Sequence, residues 1–446
     1  MPVHKKGSTT DKSNYRPISL LPTFSKGYER IIFNQLLKII ETKLSKYLCG
    51  FRRGYSTQHC LLNLLQAWQK HLSNSGKVGA VLMDLSKAFD VLPHDLLIAK
   101  LWAYGVGTKS LRFLYSYLND RKMRVRVESA FSEWLNVLLG VPQGSILGPL
   151  LFNIFVNDLF LCDLVSFIAN YADDNTLYAM GHSLHDVMSM LESDVPIVVD
   201  WFRINQMVVN PDKFQFLLLG CQKDEECTLV VDNNTITSTD YVKLLGVDID
   251  NKLNFSSHIS DLCAKANRKI NALLRIRPNL DLEQATTLCD AYILSSFRYC
   301  PLIWMFCSKS DNKKINSTHI RALRTVHRDF TTPSDKVLDT YNAETIHRDN
   351  LRLLATEVFK SIHRLNLSFV WDIFTDKTLS QNLRRGHLLK LPRRSECKQN
   401  SLVFRAVLLW NNLPAEVKEA KSLSEFKLSI KKQSALYCQC RLCKKT

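Results

Sequence analysis

The sequence predicts an α+β fold, with strands and helices mixed to about residue 250 and mostly helix beyond it. Three observations predict this. Lys77 to Leu85 reads as a buried strand through Val78, Ala80, Val81, Leu82 and Met83. Leu164 to Ala179 reads as a hairpin with Ala172-Asp173-Asp174-Asn175 at its tip. From about 256 the apolar residues recur at helical spacing, over 256–277, 281–298, 312–330 and 345–366. The boundary near 250 rests on two changes, from mixed elements to helix and from acidic to basic. No internal repeat and no long Gly/Ser/Pro linker interrupts the chain.

The remaining elements follow in order. Residues 22–48 carry Ile31, Ile32, Leu36, Leu37, Ile39, Ile40 and Leu44 on a helical period. A second helix starts at Ser56 or Thr57, both good caps, and runs through Leu61, Leu64, Leu65, Trp68 and Leu72. A third spans Pro93 to Tyr104, with Gly105 as its stop. Residues 122–128 alternate Lys122, Arg124 and Arg126 with Met123, Val125 and Val127, which predicts a strand with one basic face. A Pro-Gln-Gly turn precedes an apolar helix over 145–161, and another helix spans 184–204. Short strands are expected near 206–210, 214–219, 227–232 and 241–248.

The 446 residues hold 59 Lys+Arg and 42 Asp+Glu, a formal charge of +17. With 46% apolar and 10% aromatic residues, the composition excludes a disordered, collagenous or low-complexity chain. The charge is segregated. Residues 1–130 carry 21 cationic against 8 acidic side chains, 131–250 carry 4 against 17, and 251–446 carry 34 against 17. Charge alone fits two readings: uneven surface charge on any enzyme, or a cation-holding centre with polyanion-binding flanks.

Thirteen cysteines lack paired spacing until the tail, and the N-terminus has no apolar signal region. Both features point to a reducing, nuclear or cytoplasmic setting. Asn153, Asn157, Asp158 and Asp163 interrupt the apolar stretch 146–171, so no membrane span and no membrane partner are expected.

The strongest signal is a combination of carboxylates. Asp84 ends a buried strand, Asp173 and Asp174 sit at a hairpin tip, and Gly140-Val141-Pro142-Gln143-Gly144-Ser145 lies between them. Taken alone, Asp173-Asp174 reads first as a solvated turn. Together with a strand-end Asp it can clamp two divalent metals, as phosphoryl transfer requires. Mg²⁺ prefers hard oxygen ligands and takes one or two carboxylates plus substrate phosphates.

In this order the motifs resemble the reverse transcriptase of non-LTR (LINE-type) retrotransposons, near the jockey-like branch. The resemblance rests on His4-Lys5-Lys6-Gly7 with Asn14 to Leu21, Gly50-Phe51-Arg52-Arg53-Gly54, Met83 to Asp90, Gly140 to Asp158, and Tyr171-Ala172-Asp173-Asp174. Asn210-Pro211-Asp212-Lys213 and Leu244-Leu245-Gly246-Val247 extend it to about residue 250. Beyond that the match is looser, with Trp410-Asn411-Asn412-Leu413-Pro414 as a further shared pattern. The resemblance implies a right-hand polymerase: fingers and palm with an antiparallel sheet over 1–250, a helical thumb over 251–370 and a basic C-terminal region over 371–446. The start falls inside the first motif, so a shortened fingers region is expected.

The resemblance also implies roles. Asp84, Asp173 and Asp174 would hold two Mg²⁺ ions, or Mn²⁺, with the Leu85 carbonyl nearby. Phe89 would gate the sugar by excluding a ribose 2′-OH; otherwise it is a core phenylalanine. Gln143 and Gly144 would line the nucleotide and template pocket. Arg16, Lys5 and Lys6 would meet the triphosphate or template, or else form solvated surface. Lys213 would protonate or neutralise pyrophosphate, and Leu245-Gly246 would form the primer grip. Asp90 is expected to be structural. The implied activity is RNA-directed DNA polymerisation from dNTPs, on an element RNA template and from a DNA primer or nicked target DNA. The alternative is an inactive remnant that only binds nucleic acid. An RNA-templated RNA polymerase is disfavoured by Phe89 and the Tyr-Ala-Asp-Asp form. The tail cysteines Cys438, Cys440 and Cys443 lack a fourth ligand and the spacing of a structural zinc site, so a frayed tail is expected ahead of a zinc knuckle.

Overall fold

A computed structural model describes residues 1–5, 7–119, 121–221, 227–375, 388–389, 391, 401–433 and 436–438. Lys6, Cys440 and Cys443 lie outside the described residues, as does much of 376–400.

A six-stranded sheet organises the first half. Its order is Thr228–Val231, Asn234–Thr239, Gln215–Leu219, Lys77–Met83, Asp174–Gly181 and Phe167–Tyr171. Neighbours are antiparallel except Gln215–Leu219 with Asn234–Thr239, which pair parallel, so the sheet is mixed rather than wholly antiparallel. Lys77–Met83 sits between two partners and buries all but its first residue, which explains its unbroken apolar run. One face packs on the Leu184–Ile204 helix through Val187, Leu191, Val195, Val198 and Phe202, and on Phe152 and Phe155 of the Gly148–Val156 helix. The other face meets Leu61, Leu64, Leu65 and Trp68 of the Thr57–Ser73 helix.

Capping sets several boundaries. Ser56 accepts from the His59 amide, as a cap there requires. Ser183 and Asp186 form a reciprocal capping box at the start of Leu184–Ile204. Gly105, at φ +87°, ends the His94–Ala103 helix.

Some expected elements are shorter or divided. The 22–48 helix ends at Ile40 and tightens into a 3-10 turn, Glu41–Lys43. The expected 281–298 helix becomes Leu282–Leu288, a π turn Cys289–Ile293 and a 3-10 turn Leu294–Arg298. The basic strand 122–128 is not continuous. It splits into Lys122–Met123, pairing with Leu135–Asn136, and Arg126–Val127, pairing with Ala130–Phe131. The Thr108–Leu118 helix and the Asn234–Thr239 strand were not expected.

The change near residue 250 is one of element type, while packing continues across it. Ile249, Phe255, Ile259 and Phe297 share a core with Trp68 and Leu217. A further core joins Cys49, Cys60 and Leu62 to the Ile346–Ile362, Leu402–Asn411 and Leu423–Lys432 helices through Val358, Phe359, Trp410 and Phe426. Buried Glu357 bonds His59 Nε2 at 3.3 Å and Lys360 Nζ at 2.7 Å across this core. No helix among the described residues is long and apolar enough to cross a membrane.

Candidate active site

Strand register brings the two carboxylate motifs together. Asn175 pairs with Met83 at the end of the antiparallel register, and the residues just beyond, Asp174 and Asp84, lie close enough for the Asp84 charge to act on Asp174. Opposite residues in such a ladder point to the same face. Asp173 precedes them in the two-residue turn closed by the Tyr171–Asp174 pair. Ala172, the first turn residue, has φ +58°, the sign that a tight II′ turn needs at that position.

Three buried asparagines hold this turn. Asn170 Nδ2 donates to the Ala172 carbonyl at 2.7 Å and to Asn175 Oδ1 at 2.9 Å. Asn175 Nδ2 donates to the Asp173 carbonyl at 3.2 Å. Asn153 Nδ2 donates to the Gly50 carbonyl at 2.8 Å, and Gly50 backs directly onto the turn. A Cβ at position 50 would lie 2.3 Å from the Ala172 nitrogen, so only glycine fits there without moving the backbone. The sequence motifs included Gly50 and Asn153 but gave neither this role. Asn175 entered the sequence reading only as a tip residue and Asn170 not at all, although asparagine is a poor strand former and a polar pair flanking an acidic turn inside apolar strands is a signal of such support.

The electrostatics agree with the geometry. Asp174 keeps one side open to solvent, but protein atoms crowd its carboxyl. That crowding, with the charges of Asp173 and Asp84, raises its acid to about 6, against a smaller opposing pull from Lys5. Lys213 stands on the other side of Asp84, its Nζ 3.2 Å from Oδ2. It follows Asn210 in a short turn after Val208–Val209, which pairs with Leu85 and Ser86. Leu85 itself is buried, so only its backbone can face the site.

The donor set suits a hard divalent cation. It is all oxygen, it carries mutual repulsion that a cation relieves, and an ammonium already neutralises part of it. Among the described residues no group of three or more His, Cys, Asp or Glu side chains is placed to hold a metal ion by itself. A pair of carboxylates completed by phosphate oxygens is the ordinary Mg²⁺ arrangement.

The other sequence-derived residues fall around this centre. Phe89 is half-buried, stacked on Phe152 at 4.4 Å between centroids and edge-on to Phe51 at 5.6 Å. Its carbonyl accepts from the Val141 amide at 2.8 Å, which ties it to the 140–145 loop. Gln143 donates from Nε2 to Asp90 Oδ1 at 2.9 Å, and its carbonyl accepts from the Ser19 amide at 2.8 Å. Gly144, at φ +103°, lies against the Ser19 carbonyl. Arg16 is exposed on Tyr15–Pro17, which pairs with Pro2–His4 just before Lys5. Leu245 and Gly246, at φ +47° and +78°, form the turn between Tyr241–Leu244 and Val247–Asp250. Two successive positive φ values are what a type I′ turn requires, and Tyr299 Oη donates to the Leu245 carbonyl at 2.7 Å.

Comparison with known proteins bears on the family of the chain. Residues 3–249 match the family model described as "Reverse transcriptase (RNA-dependent DNA polymerase)". The chain is 27% identical over 334 residues to the "Probable RNA-directed DNA polymerase from transposon X-element" of Drosophila melanogaster, covering 73% of this chain and 37% of that protein. It is 27% identical over 338 residues to the "RNA-directed DNA polymerase from mobile element jockey" of the same species, with the same coverage. The chain thus spans a little over a third of the length of these relatives. A solved apo telomerase from Candida Tropicalis aligns with TM-score 0.38 and 13% identity over 70% of this chain and 51% of that one, too distant to bear on function.

Proposed function

The chain belongs to the reverse transcriptase (RNA-dependent DNA polymerase) family, and on that premise we propose that it polymerises DNA from dNTPs on a retrotransposon RNA template. The primer would be a DNA 3′-hydroxyl, including one exposed in nicked target DNA. The observation that carries this reading is the register ending at Asn175 and Met83, which brings Asp84 near Asp174 with Asp173 in the adjoining turn. We assign the six-stranded sheet with its flanking helices to the palm, the N-terminal hairpin and adjoining helices to the fingers, and the helices beyond about 250 to the thumb.

Asp84, Asp173 and Asp174 would hold two Mg²⁺ ions, with Mn²⁺ as a substitute. When bound, the ions would supply the positive charge that lowers the pKa of the attacking hydroxyl and stabilises the leaving oxygen. The chain's own groups do the rest. Asn170 and Asn175 fix the turn, so the carboxylates need no reorganisation during reaction. Lys213 Nζ offers a proton or a charge to the departing pyrophosphate. Lys5 and Arg16 face the triphosphate with charge-assisted contacts. Phe89, its ring immobilised against Phe152, excludes a 2′-hydroxyl by contact. Gln143 and Gly144 border the nucleotide and template, and the Leu245-Gly246 turn steadies the primer end. Primer extension on an RNA template tests the reading. Wild type should extend and Asp173→Ala should not; equal extension by both would overturn it.

A further inference from the structure

The double hairpin over 121–137 carries a feature that the catalytic reading leaves unused. In its lower half Met123 pairs with Leu135, and in its upper half Arg126 pairs with Phe131. The outgoing strand advances three residues between these pairs and the returning strand advances four. That extra residue is a β-bulge, with Glu133 and Trp134 both opposite Arg124. Without it, Phe131 and Trp134 would point to opposite faces. With it, both rings lie on the face of Arg124. Its guanidinium sits 4.0 Å from the Phe131 centroid and 4.7 Å from that of Trp134, and Arg126 lies 5.6 Å from Phe131.

Both rings remain open to solvent, Phe131 at 51% and Trp134 at 56% exposure. Arg121, Lys122, Arg124 and Arg126 stand against only Glu128 and Glu133 along 121–137. Exposed aromatic faces interleaved with guanidinium groups are the elements of a stacking platform for unpaired bases. The base of the hairpin is closed by Val137 N to Arg121 O at 2.8 Å, and the chain then runs into Gly140 and Val141 beside Phe89. A short segment therefore joins the hairpin to the loop bonded to Phe89.

We propose that the Lys122–Arg124–Arg126–Phe131–Trp134 face binds an unpaired nucleic-acid strand, with bases on the two rings and phosphates on the cations. The polymerase reading enters only in naming that strand, a single-stranded RNA template on its way to the active site. The opposite face, with Met123, Val125 and Val127, has no part in it.

Fluorescence anisotropy with labelled oligo(U), oligo(dT) and a blunt duplex of the same length tests this on the full chain. Phe131→Ala with Trp134→Ala should weaken single-strand binding by at least about 30-fold and duplex binding far less. Arg124→Ala should lower the slope of log affinity against log salt by about one. Val125→Thr with Val127→Thr, on the back face, should leave affinity unchanged, and circular dichroism should show all variants folded. Loss on oligo(U) assigns the strand as template and loss on oligo(dT) as DNA, and either supports the platform. Unchanged binding in the ring variants, or an equal loss from the back-face pair, which would mark a protein-docking surface, overturns it. Asp173→Ala separates the two readings, because it should lose extension while keeping wild-type oligo(U) affinity. If wild type does not extend at all, the binding assay still decides the platform.

Discussion

Lys213 places its ammonium 3.2 Å from a carboxylate oxygen of Asp84, so the residue suited to protonating a product also shields a proposed metal ligand. The two roles separate by experiment. Lys213→Ala should lower the rate of primer extension by about 10²–10⁴-fold, the range of lost general-acid help. It should also lower the Mg²⁺ concentration for half-maximal activity, because a competing cation has gone. Thermal stability should move little, since the pair is exposed. A Mg²⁺ titration of the extension rate checks both parts.

Asp174 should show an inverted stability effect. Its folded acid lies near 6, above its ordinary value of 3.8. The ionised form is therefore disfavoured by the fold, and its destabilisation is present above about 6 and disappears as pH falls towards 4. In EDTA, Asp174→Asn should melt about 1–2 °C above wild type at pH 8 and level with it near pH 4. The same variant should not extend primers. Thermal melts across pH, with a parallel extension assay, check this.

Glu357 should behave in the opposite sense. Burial would raise its acid, but the His59 bond and the Lys360 charge hold it at about 2, below the ordinary 4.5. Its stabilisation is thus complete above pH 4.5 and is lost as pH falls through about 2. At neutral pH Glu357→Ala should cost about 1–3 kcal/mol, because buried His59 Nε2 loses its hydrogen-bond partner. Denaturant unfolding at neutral and acid pH reads the difference.

Two glycines should respond with opposite signs. Gly50→Ala drives a methyl into the Ala172 backbone, and should cost about 1–3 kcal/mol together with most of the extension activity. Gly27→Ala, inside the Thr23–Ile40 helix with nothing within 4 Å, should stabilise by about 0.5–1 kcal/mol and leave activity intact. Urea denaturation with the extension assay tests the pair.

Phe89→Ala removes the ring proposed to exclude a ribose. It should raise rNTP incorporation relative to dNTP by at least about 10-fold, a contact of 1–3 kcal/mol lost from one side of the comparison. Competition between the two nucleotides in single-turnover extension measures that ratio. An unchanged ratio would leave Phe89 as core packing against Phe152.

The central strand, the acidic hairpin and the 184–204 helix were legible because local signals agree with the global fold there. Lys77–Met83 is buried on both faces, Asp173 sits at a tight turn, and Ser183 with Asp186 makes a local cap. Asn234–Thr239 was not legible, since its single buried apolar residue is Ile236 and its pairing with Gln215–Leu219 comes from tertiary contact. The division of 122–128 by a bulge depends on the returning strand, which alternation in the outgoing one cannot reveal. Within the site the carboxylates were readable from their motifs. The asparagine supports were not, because they act on backbone carbonyls, those of the turn itself for Asn170 and Asn175 and that of Gly50 for Asn153, and backbone atoms leave no mark in a sequence.

The core that joins Cys49, Cys60 and Leu62 to Phe359, Trp410 and Phe426 has a consequence for biosynthesis. The chain leaves the ribosome N-terminus first. The segment around Gly50 that braces the acidic turn is therefore made long before the helices that complete the packing behind it. Until residues near 430 emerge, the core around Cys60 and Leu62 lacks Phe426 and Ile430. The last helices therefore close this core only at the end of synthesis.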